Sequence, residues 1–321
     1  MSYLYPLKLK YACSTALWGG SKLSREWCKE SELSPLAETW ELSCRDDGMM
    51  SVIENGEYAG LTLSEYIKTL GSSVVSEDFG GGRFPLLIKF IDAALDLSVQ
   101  VHPDDEYAKA KENDSGKTEM WYIVDADEGA ELIIGLKDGI SHEDFRAAVE
   151  RNDYASVLRR IKVKKGESYF IPSGMPHAIC GGILIAEIQQ NSDLTYRIYD
   201  YDRVGADGKK RALHVAQALD VVRPFTYAEI KAIRYKKGGA DDPACLARSE
   251  YFSVDLIELG SVRKLYVGKE SFHAILSVEG DATLTHCGRD YKINRGDCFF
   301  LPAGMGNYML SGKGKLLVST L

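Results

Sequence analysis

The chain has 321 residues, 45% of them hydrophobic, and a formal net charge of −8. That length suggests about two domains of ~150 residues each, enough for a full buried core. The acidic balance excludes non-specific nucleic-acid binding, which needs a basic surface, but not a phosphorylated small substrate, because a few basic residues set the field of a pocket.

Met1 to Lys10 has no basic stretch followed by an apolar run, so no secretory leader is expected. No segment nears the ~20 apolar residues of a membrane helix. Thr62-Leu-Ser-Glu65 predicts a short amphipathic helix ending at Gly71, since a hydroxyl and a carboxylate three residues apart can cap the first turn reciprocally. Ser72 to Gly82, with its glycine triplet, reads as a mobile loop.

Ser98-Val-Gln100-Val-His102-Pro103 is the most informative stretch. As a strand it puts Leu97, Val99 and Val101 on one face and Ser98, Gln100 and His102 on the other. Lys117-Thr-Glu119 leads into Met-Trp-Tyr-Ile-Val, which places Lys117 and Glu119 on one face of a second strand. Trp121, Tyr122 and Phe170 read as core. Ser141-His-Glu-Asp144 opens another capped helix, expected to run to about Arg160. Pro172-Ser-Gly174-Met-Pro-His177 is a turn presenting a further imidazole, and a third helix is expected from Leu213 to Val222, before Pro224. Gln100, His102, Glu119 and His177 make an N/O coordination set for a divalent metal with room left for substrate. His142, His214, His273 and His286 have no partner at ligand spacing.

Lys165-Gly-Glu-Ser-Tyr-Phe-Ile-Pro172-Ser-Gly174-Met175-Pro-His177 recurs as Arg295-Gly-Asp-Cys-Phe-Phe-Leu-Pro302-Ala-Gly304-Met305-Gly-Asn307, every pair 130 positions apart. A turn, a short apolar strand and a second turn suit a small barrel built from hairpins. The repeat has the pattern of cupin barrels. The expected fold is therefore mainly β: two cupin-like (jelly-roll) β-barrels with helical insertions. The boundary falls in the linker-like Tyr235–Ala244, giving a catalytic cupin domain over 1–235 and a second cupin-like barrel over 245–321. The second copy has Asn307 in place of His177 and no Gln-x-His before it, so it is expected to carry no metal. Seven cysteines, odd in number and without a CxxC, point to reduced thiols in a cytoplasmic protein.

These residues resemble the type I phosphomannose isomerases, particularly their short bacterial form. The resemblance runs through Trp18-Gly-Gly, Glu38-Thr-Trp-Glu-Leu-Ser43, Phe84 to Asp92, Leu97 to Tyr107, Gly116 to Val124, Pro172 to His177 and Tyr196-Arg197-Ile-Tyr-Asp200. It implies one Zn2+ per chain, held by Gln100, His102, Glu119 and His177, with Arg197 associated with catalysis. The family's pocket lysines and serine fall on Lys89, Ser98 and Lys117. Cys44-Arg45 stands where a Gly-His pair is more usual, and this touches no ligand. In the wider cupin pattern the Glu lies a few residues after a His-x-His pair. Here Glu119 lies seventeen residues beyond His102, a spacing that fits the isomerases and argues against oxidase and dioxygenase cupins.

The implied reaction interconverts mannose 6-phosphate and fructose 6-phosphate by moving a proton between C1 and C2 through a cis-enediol. Its demands are a Lewis acid for the two oxygens and stabilisation of enediolate charge. Arg197 suits either that charge or the phosphate. Lys89 and Lys117 suit the phosphate, or proton transfer if their pKa is depressed. Ser98 suits a hydrogen bond to phosphate. Arg197 has a structural alternative, pairing with Asp200 or Asp202. Gln100 is the weakest ligand, since amide oxygen binds zinc poorly. The competing functions are a cupin sugar-phosphate-binding regulator without turnover, and a metal cupin enzyme (an isomerase or a dioxygenase) on another substrate. The partner implied is a small sugar phosphate, with neither nucleic acid nor membrane.

Overall fold

The computed structural model describes residues 4–205, 208–232 and 244–321. The expected domain boundary lies outside these except for Ala244. Strands β1 to β7 are Leu7–Lys10, Ala12–Ser14, Glu38–Leu42, Val52–Ile53, Leu86–Ala93, Val99–Val101 and Glu119–Ala126. Strands β8 to β13 are Glu131–Leu136, Leu158–Lys162, Ser168–Ile171, His177–Ile179, Ile183–Gln190 and Tyr196–Tyr199. Strands β14 to β20 are Ala244–Arg248, Ser253–Leu259, Arg263–Val267, His273–His286, Arg289–Ile293, Cys298–Leu301 and Gly306–Thr320. Helices α1 to α7 are Lys22–Arg25, Leu63–Leu70, Asp105–Glu112, His142–Glu150, Tyr154–Val157, Val215–Val221 and Tyr227–Ala232. Among the described residues no helix is long and apolar enough to cross a membrane.

The first half forms a six-stranded sheet, β10-β7-β12-β5-β3-β2, and a five-stranded sheet, β13-β6-β11-β8-β9. Strands β5 and β12 are buried along their whole length because the six-stranded sheet is covered on both faces. Ile88, Phe90, Met120, Tyr122, Ala186 and Ile188 pack outward against Phe252, Phe272, Phe300 and Leu317 of the second half. The alternate residues Ile91, Trp121, Ile123, Ile183 and Ile185 face the first barrel's interior with Ile134 and Ile179 of the other sheet. Strand alternation therefore sends Lys89, Glu119, Glu187 and Gln189 inward as well, into an otherwise apolar space.

The second half is a nine-stranded sheet whose path, β14-β15-β20-β17-β19-β1-β4, ends on two strands from the start of the chain. Leu7 pairs with Phe300 and Leu9 with Cys298. The cupin fold expected from the repeat is present, and both copies build the same unit: β10 and β11 in the first half, β19 and the start of β20 in the second.

Helix α2 carries the expected capping box, with Thr62 accepting from Glu65 N–H and Glu65 returning to the Thr62 backbone. Helix α6 matches the third expectation within two residues. The second differs, since α4 stops at Glu150 and the chain turns through Asn152 at φ 55 into α5, then enters β9 at Leu158. The Arg-Asn-Asp sequence at 151–153 favours a turn over helix, and the Asn152 carbonyl region is followed by a fresh start at Tyr154. The expected mobile loop over 72–82 also differs. Its first half is a short 3-10 turn with Val74 and Val75 buried. Val74 O, Val75 O and Glu77 N–H bond to Ala303, Phe272 and Lys269, so this segment straps the two halves together. At the glycine end a Cβ added to Gly80, Gly81 or Gly82 would meet nothing within 4 Å, so this end is open.

Candidate active site

The ligand row is set by strand register. His177 of β11 and Arg197 of β13 lie on either side of Gln100 of β6, directly opposite it across the five-stranded sheet. His102 follows β6 and runs into Asp104, whose side chain caps α3 by accepting Tyr107 N–H. The His102 carbonyl accepts Gly174 N–H at 2.8 Å, which joins the two histidine turns. Gly174 has φ +82, and a Cβ there would meet Val221 O at 2.9 Å, so this turn requires glycine.

From the facing sheet Glu119 reaches both imidazoles, with Oε2 3.4 Å from His102 Nε2 and Oε1 3.2 Å from His177 Nε2. All three side chains are fully enclosed. His102 Nδ1 faces Leu194 O at 2.7 Å and His177 Nδ1 faces Met175 O at 2.8 Å. Two carbonyls can only accept, so each ring carries its proton on Nδ1 and turns the Nε2 lone pair toward Glu119. The Gln100 amide nitrogen stands 3.4 Å from His177 Nε2, and a half-turn of that amide presents its oxygen instead.

Around this set lie two lysines and a second carboxylate. Lys117 Nζ is 3.1 Å from Glu119 and 4.0 Å from Glu187. Lys89 Nζ is 3.6 Å from Glu38 and 4.3 Å from the Trp40 ring centre, and Lys89 sits opposite Glu187 in register. Glu187 accepts Trp121 Nε1–H at 3.2 Å. Burial pulls the Lys117 pKa down, but Glu119 and Glu187 outweigh it and hold the amine above its ordinary value. Burial pushes Glu187 up, helped by Glu119, whereas Lys117 holds Glu119 below its usual range despite its burial. Burial lowers both histidines, His102 well below the ordinary value, so they stay neutral.

The donor set fits a divalent cation. His102 Nε2 and both Glu119 oxygens are buried without a well-formed hydrogen bond. The candidate ligand atoms of His102, Glu119 and His177 lie within 4.8 Å of one another. Enclosed polar atoms of this kind are costly unless something satisfies them, and neutral imidazoles with a carboxylate suit zinc. Among the described residues this is the one such cluster of His, Cys, Asp and Glu.

Arg197 does not take the structural alternative. Asp200 is held by Arg203 at 2.5 Å and Arg211 at 2.6 Å, and Asp202 by Lys210 at 2.6 Å. Arg197 Nε is buried with no hydrogen-bond partner. Ser98 is buried two positions before Gln100 and makes no hydrogen bond to the ligand set. Glu187 was not singled out from the sequence. Its signal is present in Ile183-Leu-Ile-Ala-Glu187-Ile-Gln189, where polar residues fall two apart inside an apolar run.

Residues 6–147 match the family profile described as phosphomannose isomerase type I, catalytic domain, and residues 245–321 match mannose-6-phosphate isomerase, cupin domain. The chain is 39% identical over 319 residues to a probable mannose-6-phosphate isomerase of Bacillus subtilis, spanning 98% of this chain and 99% of that one. It is 36% identical to the mannose-6-phosphate isomerase of Streptococcus mutans, spanning 98% of each. The crystal structure of a Bacillus subtilis mannose 6-phosphate isomerase superposes with a TM-score of 0.90 at 35% identity, covering 98% of this chain and 99% of that one. A mannose 6-phosphate isomerase bound with zinc and yttrium shares the fold, with a TM-score of 0.78 at 18% identity over 98% of each chain.

Proposed function

The chain belongs to the type I phosphomannose isomerases, which are aldose–ketose isomerases, and from that premise we propose that it interconverts mannose 6-phosphate and fructose 6-phosphate with one zinc ion. The observation that carries the metal reading is the enclosed His102–Glu119–His177 cluster with its unsatisfied ligand atoms. These residues and Gln100 would hold the ion. When bound, it supplies Lewis acidity toward the carbonyl and hydroxyl oxygens at C1 and C2.

The remaining roles follow from where the other side chains lie. The reaction takes the C2 proton of the open-chain aldose and returns a proton to C1, while the carbonyl moves from C1 to C2. Arg197, next to Gln100 in the sheet and without a salt bridge among the described residues, offers permanent charge and forked donors to the enediolate or the phosphate. Lys117, beside Glu119, is placed to donate to substrate oxygens. Lys89 and Ser98 fit the phosphate end. In this cavity Glu119 belongs to the ligand set and Glu187 does not, which leaves Glu187 for proton transfer. Burial of these groups excludes water from the cis-enediol.

We read 1–235 as the catalytic part and 245–321 as a second barrel without metal. The second barrel's interior supports this, being filled by Ile275, Phe299, Met305 and Tyr308. A cytoplasmic setting is supported by seven free thiols.

The test is a coupled assay of fructose 6-phosphate formation from mannose 6-phosphate, before and after chelation and zinc add-back. Turnover lost to chelator and restored by zinc is expected. A zinc-loaded, folded protein with no turnover on mannose 6-phosphate would sink the proposal.

A further inference from the structure

Back to back with the ligand row, on the outer face of the five-stranded sheet, lies a separate cavity of about 260 Å³. Val99 contributes to its floor, while its neighbour Gln100 faces the active site. One wall is aromatic: Tyr154 stacks on Tyr199 at 4.5 Å with the planes 22° apart, and Tyr199 meets Tyr201 at 4.8 Å. The polar rim includes Asp153 and Arg160.

A strand irregularity builds this wall. Arg197 lies opposite Gln100 and Tyr199 opposite Val99, so Ile198 is an extra residue. In regular alternation Arg197 and Tyr199 would share a face. The bulge lets Arg197 point inward while Tyr199 turns to the outer cavity. Backbone strain collects at the same place. Of the six non-glycine residues with positive φ among those described, Asn152 and Tyr201 line the cavity and Asp202 adjoins Tyr201. Such conformations persist where the surroundings impose them, and they gather at ligand clamps and switch segments.

The charges around the cavity select among ligands. Arg160 is already answered by Glu131 at 3.2 Å and Asp96 at 4.0 Å, and Asp153 adds a further negative group. A phosphate would meet a net acidic rim. The place a cation would take over the aromatic wall is already held by the guanidinium of Arg203, 5.1 Å from the Tyr201 ring centre. What fits is a neutral ring with an apolar face for the tyrosines and hydroxyls for Asp153 and Arg160, the usual division of labour in a small-molecule pocket. The volume admits one ring. We propose that this cavity is a second ligand site, distinct from the catalytic cavity, for an unphosphorylated hexose or a similar neutral polyol ring. Its occupant would sit on the strand that carries Arg197.

Saturation-transfer NMR with D-glucose and D-mannose tests it. Transfer to at least one sugar is expected, persisting with saturating fructose 6-phosphate and with added inorganic phosphate. Ala155→Phe, an exposed lining position on α5, fills the cavity and should abolish that transfer while leaving turnover unchanged. Tyr199→Ala, which removes the central ring without adding bulk, is the second variant and should do the same to binding. No transfer from either sugar, transfer displaced by fructose 6-phosphate or by phosphate, or transfer unaltered in both variants would overturn the proposal.

Discussion

At the residue scale, each imidazole of the cluster has one nitrogen committed to a backbone carbonyl and one left for a ligand, which separates the roles of neighbouring side chains. His177→Ala should lose metal by more than the roughly 10–100-fold that removal of a supporting hydrogen bond costs. A normal metal content in that variant would refute the ligand assignment. Arg197→Ala should keep metal and fold but lower kcat by roughly 10²–10³-fold, the range for deleting one donor to a developing oxyanion. A kcat close to that of the unaltered enzyme would reduce Arg197 to a structural role. The histidines were legible because each lies in its own motif. Glu187 was not, since a single acid inside Ile183–Gln190 acquires meaning only when β5 and β7 bring Lys89 and Trp121 beside it. The Arg197 ambiguity needed structure too, because sequence places Asp200 and Asp202 nearby without saying that Arg203, Arg211 and Lys210 claim them.

At the scale of elements, the repeat was read from turn chemistry, and its second copy differs from the first in geometry as well as in sequence. Asn307 is exposed and its neighbour Tyr308 is buried, so the inward place goes to a phenol. His273, the first residue of β17, faces Tyr308 Oη through Nδ1 at 2.9 Å. Burial pushes its pKa down to about 4 from an ordinary 6.5. The unfolded chain therefore binds a proton between these values that the folded one does not. The stabilisation from neutral His273 is complete above pH 6.5 and is lost as pH falls toward 4, on the order of 3 kcal/mol. Thermal unfolding of the unaltered protein and of His273→Gln from pH 7 to 4.5 should give a shallower acid decline for the variant. Parallel declines would show that His273 does not set this limb. What sequence missed at this scale was the strap at 72–77. Its Ser-Ser-Val-Val resembles any loop until Phe272 and Ala303 arrive to bond it.

For the whole molecule, the two halves are joined by a buried lysine as well as by apolar surface. Lys29 Nζ lies 2.6 Å from Glu41, bonds Gly296 O at 2.8 Å and sits 4.1 Å from the Tyr11 ring centre. Glu41 is fully buried, and that burial raises its pKa. Lys29→Ala strands the carboxylate and should destabilise by about 3–5 kcal/mol in urea unfolding, whereas Lys29→Met with Glu41→Leu should recover most of that loss. A single variant within about 1 kcal/mol of the unaltered protein would mean that the pair contributes little. The pairing of β1 with β19 has a consequence for how the chain is made. During synthesis Leu7–Lys10 leaves the ribosome long before its partner strand Cys298–Leu301, which lies at the other side of the whole first half in sequence. Until then the outward face of the six-stranded sheet, with Ile88, Phe90, Met120 and Ile188, lacks the part of its cover that Phe252, Phe272, Phe300 and Leu317 supply. Such surface on a waiting nascent chain is what chaperones bind and what aggregation starts from. Closure is a long-range, late event, so the nine-stranded sheet, begun by β1 and β4, is completed only when the second half has been translated.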